Sequence, residues 1–302
     1  MEQHRLDTGA SVFSDGEIVD VLALQPTLLP VSFLPQKKRK PIPDLSRAKI
    51  LIYGPPKIGK STLASKFPGV WFLATEEGLN WLEIYEPTSV SSWEQFLEVC
   101  AWIEAIKPTT FPDGTPIKTI VIDTVDLLFK MCFDHTCTAL GVGSLADLEW
   151  GKGWQALGDE FTRVICKITR WPYGNVFISH AQEKEIKSAG KKIDRIQPAL
   201  MTTGYKIVHA LVDIILYCYT DEEAVLNAEG EYTGEVREKR IIRCQPGNNI
   251  IAGDRTSYLP AEIPLNYREL LSYFPATPGY ELEFPQPPID LKSLGIEHSS
   301  IL

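Results

Sequence analysis

The chain has 302 residues, of which 30 are basic and 39 acidic, so its formal net charge is −9. With 44% hydrophobic and 23% charged residues, its composition is that of an ordinary globular protein and excludes a disordered, collagen-like or coiled-coil chain. Because a molecule with this negative net charge repels polyanions as a whole, any contact with nucleic acid must be confined to a local patch.

Residues 1–45 are predicted to form an N-terminal arm that ends in a linker. The basic run at residues 36–40 is followed closely by Pro41 and Pro43, a composition typical of linkers. No stretch reaches the roughly 18 uncharged apolar residues that a membrane span needs. The first residues do not lead into a signal-peptide pattern. We therefore expect a cytoplasmic protein without a membrane partner.

Residues 46–275 are predicted to form the core, because short β-type runs alternate there with helical patterns. Apolar residues spaced three and four apart predict crossover helices over residues 93–106 and 145–168. This alternation is the signature of βαβ units, so we predict an α/β fold with a mainly parallel sheet. The predicted strands cover residues 49–53, 70–74, 119–123, 176–179, 212–219 and 240–244.

The pattern changes towards the C-terminus. Residues 221–234 are acidic, contain glycine and link two β-like runs, which predicts a β-hairpin extension of the core. Residues 276–302 are Pro-rich with little periodicity, and we expect them to form a peripheral tail.

The most specific motif is GPPKIGKS at residues 54–61, which fits GxxxxGK[ST] and lies between a predicted strand and a predicted helix. Backbone N–H groups of such a loop turn inward around phosphate. Lys60 is expected to reach the β- and γ-phosphates, and Ser61 to hold Mg²⁺, so ATP and Mg²⁺ are the predicted ligands. The residues predicted to bind the nucleotide here are Gly54, Pro55, Pro56, Lys57, Ile58, Gly59, Lys60, Ser61 and Thr62.

A P-loop also needs a carboxylate at the end of a neighbouring strand. The run TIVID ends in Asp123, which we predict to hold Mg²⁺ together with Ser61. The next residue is Thr124 and not Glu, so the group that polarises the attacking water must come from elsewhere. Glu76 or Glu77, in the run TEEG after the second predicted strand, could supply it.

Another candidate pair follows the predicted strand at residues 176–179. The run FISHAQ places His180 and Gln182 where their side chains could sense the γ-phosphate. An ordinary histidine at a strand end is the alternative interpretation of His180.

Together these motifs resemble the RecA-type recombinase core. The P-loop, TEEG, TIVIDTVDLL, FISHAQ and TTGYKIVHALVDIILYCY carry the resemblance, and the chain is more closely similar to the phage-encoded RecA-like ATPases implicated in single-strand annealing. The similarity covers about residues 46–275, including the runs WGKGWQ and AGDRTSYLP. It implies that Glu76 is the catalytic glutamate, that Asp123 is the Walker B aspartate, and that His180 or Gln182 is the switch residue that couples nucleotide to DNA.

The resemblance also implies two DNA-binding loops, at residues 135–153 and 183–203. The second loop has five basic residues against three acidic ones, and a solvated surface loop is the alternative interpretation. The family completes its ATP site with a cation from the neighbouring subunit, for which Arg243 is the first candidate and Arg255 the second. The predicted nucleic-acid contacts are Lys184, Lys187, Lys191, Lys192 and Arg195.

We therefore expect a RecA-like ATPase that acts on single-stranded DNA in phage recombination, annealing or repair, in the cytoplasm of the bacterial host. By the resemblance it assembles into a homo-oligomeric ring or filament, with a single-strand-binding protein as a further candidate partner. Two alternatives stay open: a helicase-loader type ATPase, and a nucleotide-gated binding module with negligible turnover. Small-molecule phosphotransfer is disfavoured because the sequence shows no lid-like arginine cluster.

Overall fold

The structure is a computed structural model that describes residues 12–14, 17–19, 38, 43–188, 191–226 and 232–275. The chain divides into two units, residues 1–42 and 43–302. In the first unit, β1 (Val12–Ser14) and β2 (Glu17–Val19) form an antiparallel pair. Apart from Lys38, the basic run at residues 36–40 lies outside the described residues, and so does the predicted tail at 276–302.

The second unit is built on a large mixed sheet. Six of its strands, in the order β9-β3-β7-β6-β4-β5, pair in parallel, while β10, β11 and β12 add in antiparallel fashion beyond β9. The predicted fold class, an α/β core with a mainly parallel sheet, is confirmed. The strands are β3 (Lys49–Gly54), β4 (Val70–Ala74), β5 (Thr88–Ser89), β6 (Thr119–Asp123), β7 (Gly174–Ser188), β8 (Lys191–Pro198), β9 (Ile214–Leu226), β10 (Tyr232–Arg243), β11 (Gly253–Asp254) and β12 (Glu262–Pro264).

Helices cover both faces of this sheet, so each central strand is buried on two sides. In β3, Leu51 and Tyr53 pack into one apolar core with α2 to α5, while Ile50 and Ile52 pack into a second core with α1 and α6. This alternation follows from the two-residue period of a strand. The helices are α1 (Lys60–Ala64), α2 (Trp93–Ile106), α3 (Val125–Leu140), α4 (Lys152–Ile168), α5 (Thr202–Leu211) and α6 (Tyr267–Ser272).

The prediction of a single helix over residues 145–168 is wrong in its first part. Residues 145–151 form two short 3-10 turns, and α4 begins at Lys152. The break has a local cause, because Trp150 and Gly151 both take left-handed backbone conformations, with φ of 58° and 68°. The predicted DNA loop at residues 135–153 is therefore made of the end of α3, these turns and the first residues of α4.

The prediction of a basic loop at residues 183–203 is also wrong. The strand predicted to end at Ser179 continues as β7 to Ser188, and β8 returns antiparallel to it, with Ala181 opposite Pro198 and Ser188 opposite Lys191. The sequence interpretation missed this hairpin because its charged residues show no apolar alternation, and an exposed two-stranded ribbon needs no apolar face. The hairpin predicted around residues 221–234 is confirmed as β9 and β10. Among the described residues, no helix is both long and apolar enough to cross a membrane.

Candidate nucleotide-binding site

The P-loop connects the end of β3 to the start of α1, and two of its glycines are required by the backbone. A Cβ on Gly54 would lie 2.3 Å from the carbonyl oxygen of Cys218, so only glycine lets β3 and β9 approach this closely. Gly59 has a φ of 114°, which side chains rarely tolerate. Between them, Pro55 is half-buried, Pro56 and Lys57 form an exposed turn, and Ile58 is buried.

Lys60 and Ser61 follow the loop directly and point into the site. The Lys60 ammonium is buried and donates hydrogen bonds to the carbonyl oxygens of Gly54 (3.0 Å) and Pro55 (2.9 Å). The Ser61 hydroxyl donates to Oδ2 of Asp123 at 2.7 Å. Asp123 is the last residue of β6, which is separated from β3 by β7. The fold thus brings together the predicted P-loop lysine, serine and aspartate.

Hydrogen bonds that involve Thr75 and Thr124 connect the ends of β4 and β6. The Thr75 hydroxyl donates to the carbonyl oxygen of Thr124 (2.9 Å) and accepts from the Thr124 N–H (2.8 Å), while the Thr75 N–H donates to the carbonyl oxygen of Asp123 (2.8 Å). These bonds fix the backbone from which Glu76 projects. Sequence reasoning missed them, because an interstrand side-chain contact leaves no motif.

The structure distinguishes Glu76 from Glu77. Oε1 of Glu76 lies 3.7 Å from Nε2 of His180. The negative charge of Glu76 favours the protonated forms of both Lys60 and Asp123. Glu77 is exposed and makes no such contact within the described chain. Of the two carboxylates that the sequence left open, Glu76 is the one that faces the site.

His180 and Gln182 are separated in the same way. Both lie inside β7 rather than at its end, because the strand continues into the hairpin. His180 pairs with Gly54 across the sheet and faces Glu76. The Gln182 side-chain amide donates to the carbonyl oxygen of Pro198 on β8 at 3.0 Å, so it is engaged by the hairpin. His180 is therefore the better placed of the two switch candidates.

Asp126, on the first turn of α3, is a site residue that the sequence interpretation missed. Its carboxylate accepts hydrogen bonds from the Ser179 hydroxyl and from the His180 N–H, both at 2.7 Å. It thereby joins the helix that follows Asp123 to the strand that carries His180. An acidic residue three positions after a Walker B aspartate was the available signal, but it also fits an ordinary helix start.

Burial dominates the electrostatics of the site. Desolvation raises the pKa of Asp123, opposed by its hydrogen bond from Ser61, and it raises the pKa of Asp126, opposed by the bond from Ser179. It lowers the pKa of Lys60, opposed by nearby acidic groups. Buried charges of both signs within one cluster are typical of sites that bind a charged ligand.

The oxygen atoms of Ser61 and Asp123 suit Mg²⁺. This ion prefers hard oxygen ligands and is usually held by one or two protein groups together with substrate phosphates. A hydroxyl and a carboxylate oxygen 2.7 Å apart form such a donor pair. Among the described residues, no three or more His, Cys, Asp or Glu side chains converge on one point.

The two predicted trans-acting arginines make contacts within their own chain. Nη1 of Arg243 lies 2.5 Å from Oε1 of Glu262, and its Nε donates to the carbonyl oxygen of Gln245 at 3.1 Å. Arg255 donates to the carbonyl oxygen of Ala210 at 2.9 Å and lies 4.0 Å from Asp213. Neither arginine is brought to the P-loop of its own chain by these contacts.

The predicted nucleic-acid contacts lie on the hairpin of β7 and β8. Lys184 stands directly opposite Arg195, and Lys187 opposite Lys192. Lys192 forms an ion pair with Glu185 at 2.9 Å, whereas the Lys184 ammonium reaches the Thr202 hydroxyl at 3.4 Å. The side chains of Lys187 and Lys191 lie outside the described residues.

Comparison with known proteins gives a family match and more distant similarities. The AAA domain family matches residues 46–256. The SPbeta prophage-derived protein YorG of Bacillus subtilis (strain 168) is 26% identical over 135 residues, which cover 44% of this chain and 41% of YorG. The matched part thus spans about two-fifths of that relative. A KaiC-like protein from the hyperthermophilic archaeon Pyrococcus horikoshii OT3 is 14% identical, with 67% of this chain and 81% of that chain covered and a TM-score of 0.36.

Proposed function

We propose that this chain, which belongs to the AAA domain family, is a Mg²⁺-dependent ATPase that acts on single-stranded DNA in phage recombination or annealing. One observation carries the ATPase assignment. A GxxxxGKS loop presents Lys60 and Ser61 beside Asp123, with the Ser61 hydroxyl 2.7 Å from the Asp123 carboxylate. Strand, loop and carboxylate are the parts that P-loop nucleotide hydrolysis needs.

In the proposed mechanism, the P-loop backbone and Lys60 bind the β- and γ-phosphates. Lys60 exchanges its hydrogen bonds with the carbonyl oxygens of Gly54 and Pro55 for bonds to phosphate. Ser61 and Asp123 would hold Mg²⁺, which would neutralise charge on the phosphates. Glu76 orients the water for in-line attack on the γ-phosphorus and accepts its proton, while the bond from that phosphorus to the β,γ-bridging oxygen breaks and ADP leaves.

The proposed DNA partner rests on the hairpin of β7 and β8. Lys184 and Arg195 stand opposite each other, and like charges in this position destabilise a hairpin unless an anion lies between them. β7 also passes beside the P-loop strand, so nucleotide and DNA would act on one element. The phage role is supported by the similarity to a prophage-derived protein, and assembly into a ring or filament stays part of the proposal.

The test is ATP hydrolysis with and without single-stranded DNA at one fixed salt concentration. We expect DNA-stimulated turnover in the unmodified chain and its loss in Lys60→Ala. Lys66→Ala, which removes an exposed lysine just after α1, is the matched control and should keep full turnover. An ATP hydrolysis rate that is the same with and without DNA would instead support a loader-type ATPase. Nucleotide binding without turnover would support a nucleotide-gated binding module.

A further inference from the structure

Arg240 on β10 lies beside the P-loop, and no motif in the sequence assigns it a role. Its Nη1 is 3.8 Å from the position that a Cβ would take on Gly59, the residue before Lys60. The Arg240 carbonyl oxygen accepts a hydrogen bond from the Leu265 N–H at 2.9 Å, and the Leu265 side chain lies 3.6 Å from the same Cβ position. The backbone of Arg240 is therefore held where its side chain reaches the loop.

The register of the sheet explains this position. Gly54 at the end of β3 packs against Cys218 on β9, and Cys218 pairs with Ile242 on β10. Arg240 precedes Ile242 by two residues, so it shares the face of Ile242. That face carries the core formed with Ile58 and α1. Arg240 thus extends from the sheet on the side of the P-loop, past the end of β3.

The charge of Arg240 has no partner in the described part of the chain. Its neighbours on the strand do have partners: Lys239 lies 3.7 Å from Glu223, and Arg243 pairs with Glu262. For Arg240, no carboxylate lies within 4.0 Å and no side-chain hydrogen bond is formed among the described residues. An exposed guanidinium beside the residue that precedes Lys60 can form a charge-assisted hydrogen bond with an anion bound at the loop.

We propose that Arg240 binds the phosphate chain of the nucleotide held by its own P-loop. This inference rests on the proposed nucleotide-binding function and adds a contact made in cis. The proposal assigns this role to Arg240 and not to Arg243. The two residues are three apart on one strand and point to opposite faces, so the Arg243 side chain is directed away from the loop that Arg240 contacts.

The experiment measures ATP affinity of the full chain by titration calorimetry with Mg²⁺, for the unmodified protein and for Arg240→Ala, Arg240→Gln and Lys239→Ala. We expect both Arg240 variants to bind ATP about tenfold more weakly, since one charge-assisted contact is lost. Their ATP affinity should also depend less on salt concentration, because one phosphate-facing charge is gone. Lys239→Ala, whose lysine faces Glu223, should bind as the unmodified protein does.

Mixing variants distinguishes a cis contact from a trans contact. In a mixture of Arg240→Ala and Lys60→Ala chains, only the Arg240→Ala chains keep an intact P-loop. A cis contact predicts that their ATP affinity stays weak, whereas restored affinity would show that Arg240 acts on a neighbour and would overturn the proposal. Unchanged affinity in both Arg240 variants would overturn it too, while leaving the ATPase proposal in place. Failure of the unmodified chain to bind ATP would overturn both the Arg240 proposal and the ATPase proposal.

Discussion

Two adjacent carboxylates, Glu76 and Glu77, occupy different environments at the end of β4. The Thr75 and Thr124 bonds hold the backbone so that Glu76 projects towards His180, 3.7 Å away. Glu77 projects into solvent. A residue that positions the attacking water must lie within hydrogen-bond reach of it, directly or through one further water. Position at the site, rather than residue type, therefore separates these two candidates.

Glu76→Gln should lower the turnover number of ATP hydrolysis by about 100-fold or more, because general-base assistance is lost. Its ATP affinity should stay close to that of the unmodified chain, since the substitution keeps the shape of the side chain. Glu77→Gln is the matched control, with the same change of charge one residue away. Steady-state hydrolysis and equilibrium binding measure the two quantities. Equal turnover in the two variants would remove Glu76 from the proposed role.

The residues of this site differ in how far the sequence could predict them. The P-loop is a contiguous motif, and Asp123 ends a recognisable buried strand, so both could be predicted from spacing alone. The choice between Glu76 and Glu77 depends on which way the chain turns after β4. The contacts of Asp126 and Arg240 depend on residues about 50 and 180 positions away in the chain, such as Ser179 and Gly59. Such long-range contacts come from tertiary packing and leave no local pattern.

At the scale of elements, β7 connects the nucleotide site to the basic hairpin. The strand lies between β3 and β6 in the sheet and then continues past its edge to pair with β8. Asp126 attaches the start of α3 to this strand at Ser179 and His180. A shift at the end of β6 can therefore reach the hairpin through one continuous strand.

Asp126→Asn should uncouple these two elements. An amide keeps one oxygen acceptor but presents an N–H₂ group to one of its two donors, so one of the bonds at 2.7 Å is lost. We expect the turnover number to fall by about 10- to 100-fold, as misplaced catalytic groups do, with ATP affinity changed by less than about twofold. The stimulation of turnover by single-stranded DNA should fall as well.

The control is Asp134→Asn, which makes the same substitution at an exposed position of α3. It should leave both turnover and DNA stimulation unchanged. If Asp126→Asn loses ATP affinity in proportion to turnover, Asp126 supports the fold of the site and does not position His180.

The bounds of elements were predicted well where burial requires apolar residues at regular spacing. The bounds of β4, β6 and α2 are those predicted from apolar spacing, because each is packed against the core. The hairpin of β7 and β8 escaped prediction for the opposite reason. On β7 it alternates Glu and Lys at the exposed residues 183–185, and this pattern is equally typical of a solvated loop.

At the scale of the whole molecule, the net charge of −9 opposes any approach to DNA. A local basic surface must overcome this repulsion, and its contribution is screened by salt. On the hairpin, Lys184 and Arg195 face each other without an acidic residue opposite either of them. On the neighbouring positions, by contrast, Lys192 is paired with Glu185. The uncompensated pair, Lys184 and Arg195, is therefore the place where a phosphate backbone is expected to bind.

The double variant Lys184→Ala/Arg195→Ala should weaken binding to single-stranded DNA regardless of base sequence. The slope of log affinity against log salt concentration should become shallower by about 1.4, since each lost phosphate contact contributes about 0.7 for single strands. Hydrolysis of ATP without DNA should not change, because neither residue contacts the P-loop. Fluorescence anisotropy over a series of salt concentrations measures the slope.

The matched control removes two positive charges from the other hairpin, through Arg237→Ala/Lys239→Ala on β10, where the opposing residues are acidic. It changes the net charge by the same amount, so a purely global effect would weaken DNA binding equally in both double variants. Equal losses would place the DNA contact elsewhere on the chain. A loss confined to Lys184→Ala/Arg195→Ala would locate it on β7 and β8, the strand pair that also adjoins the ATP site.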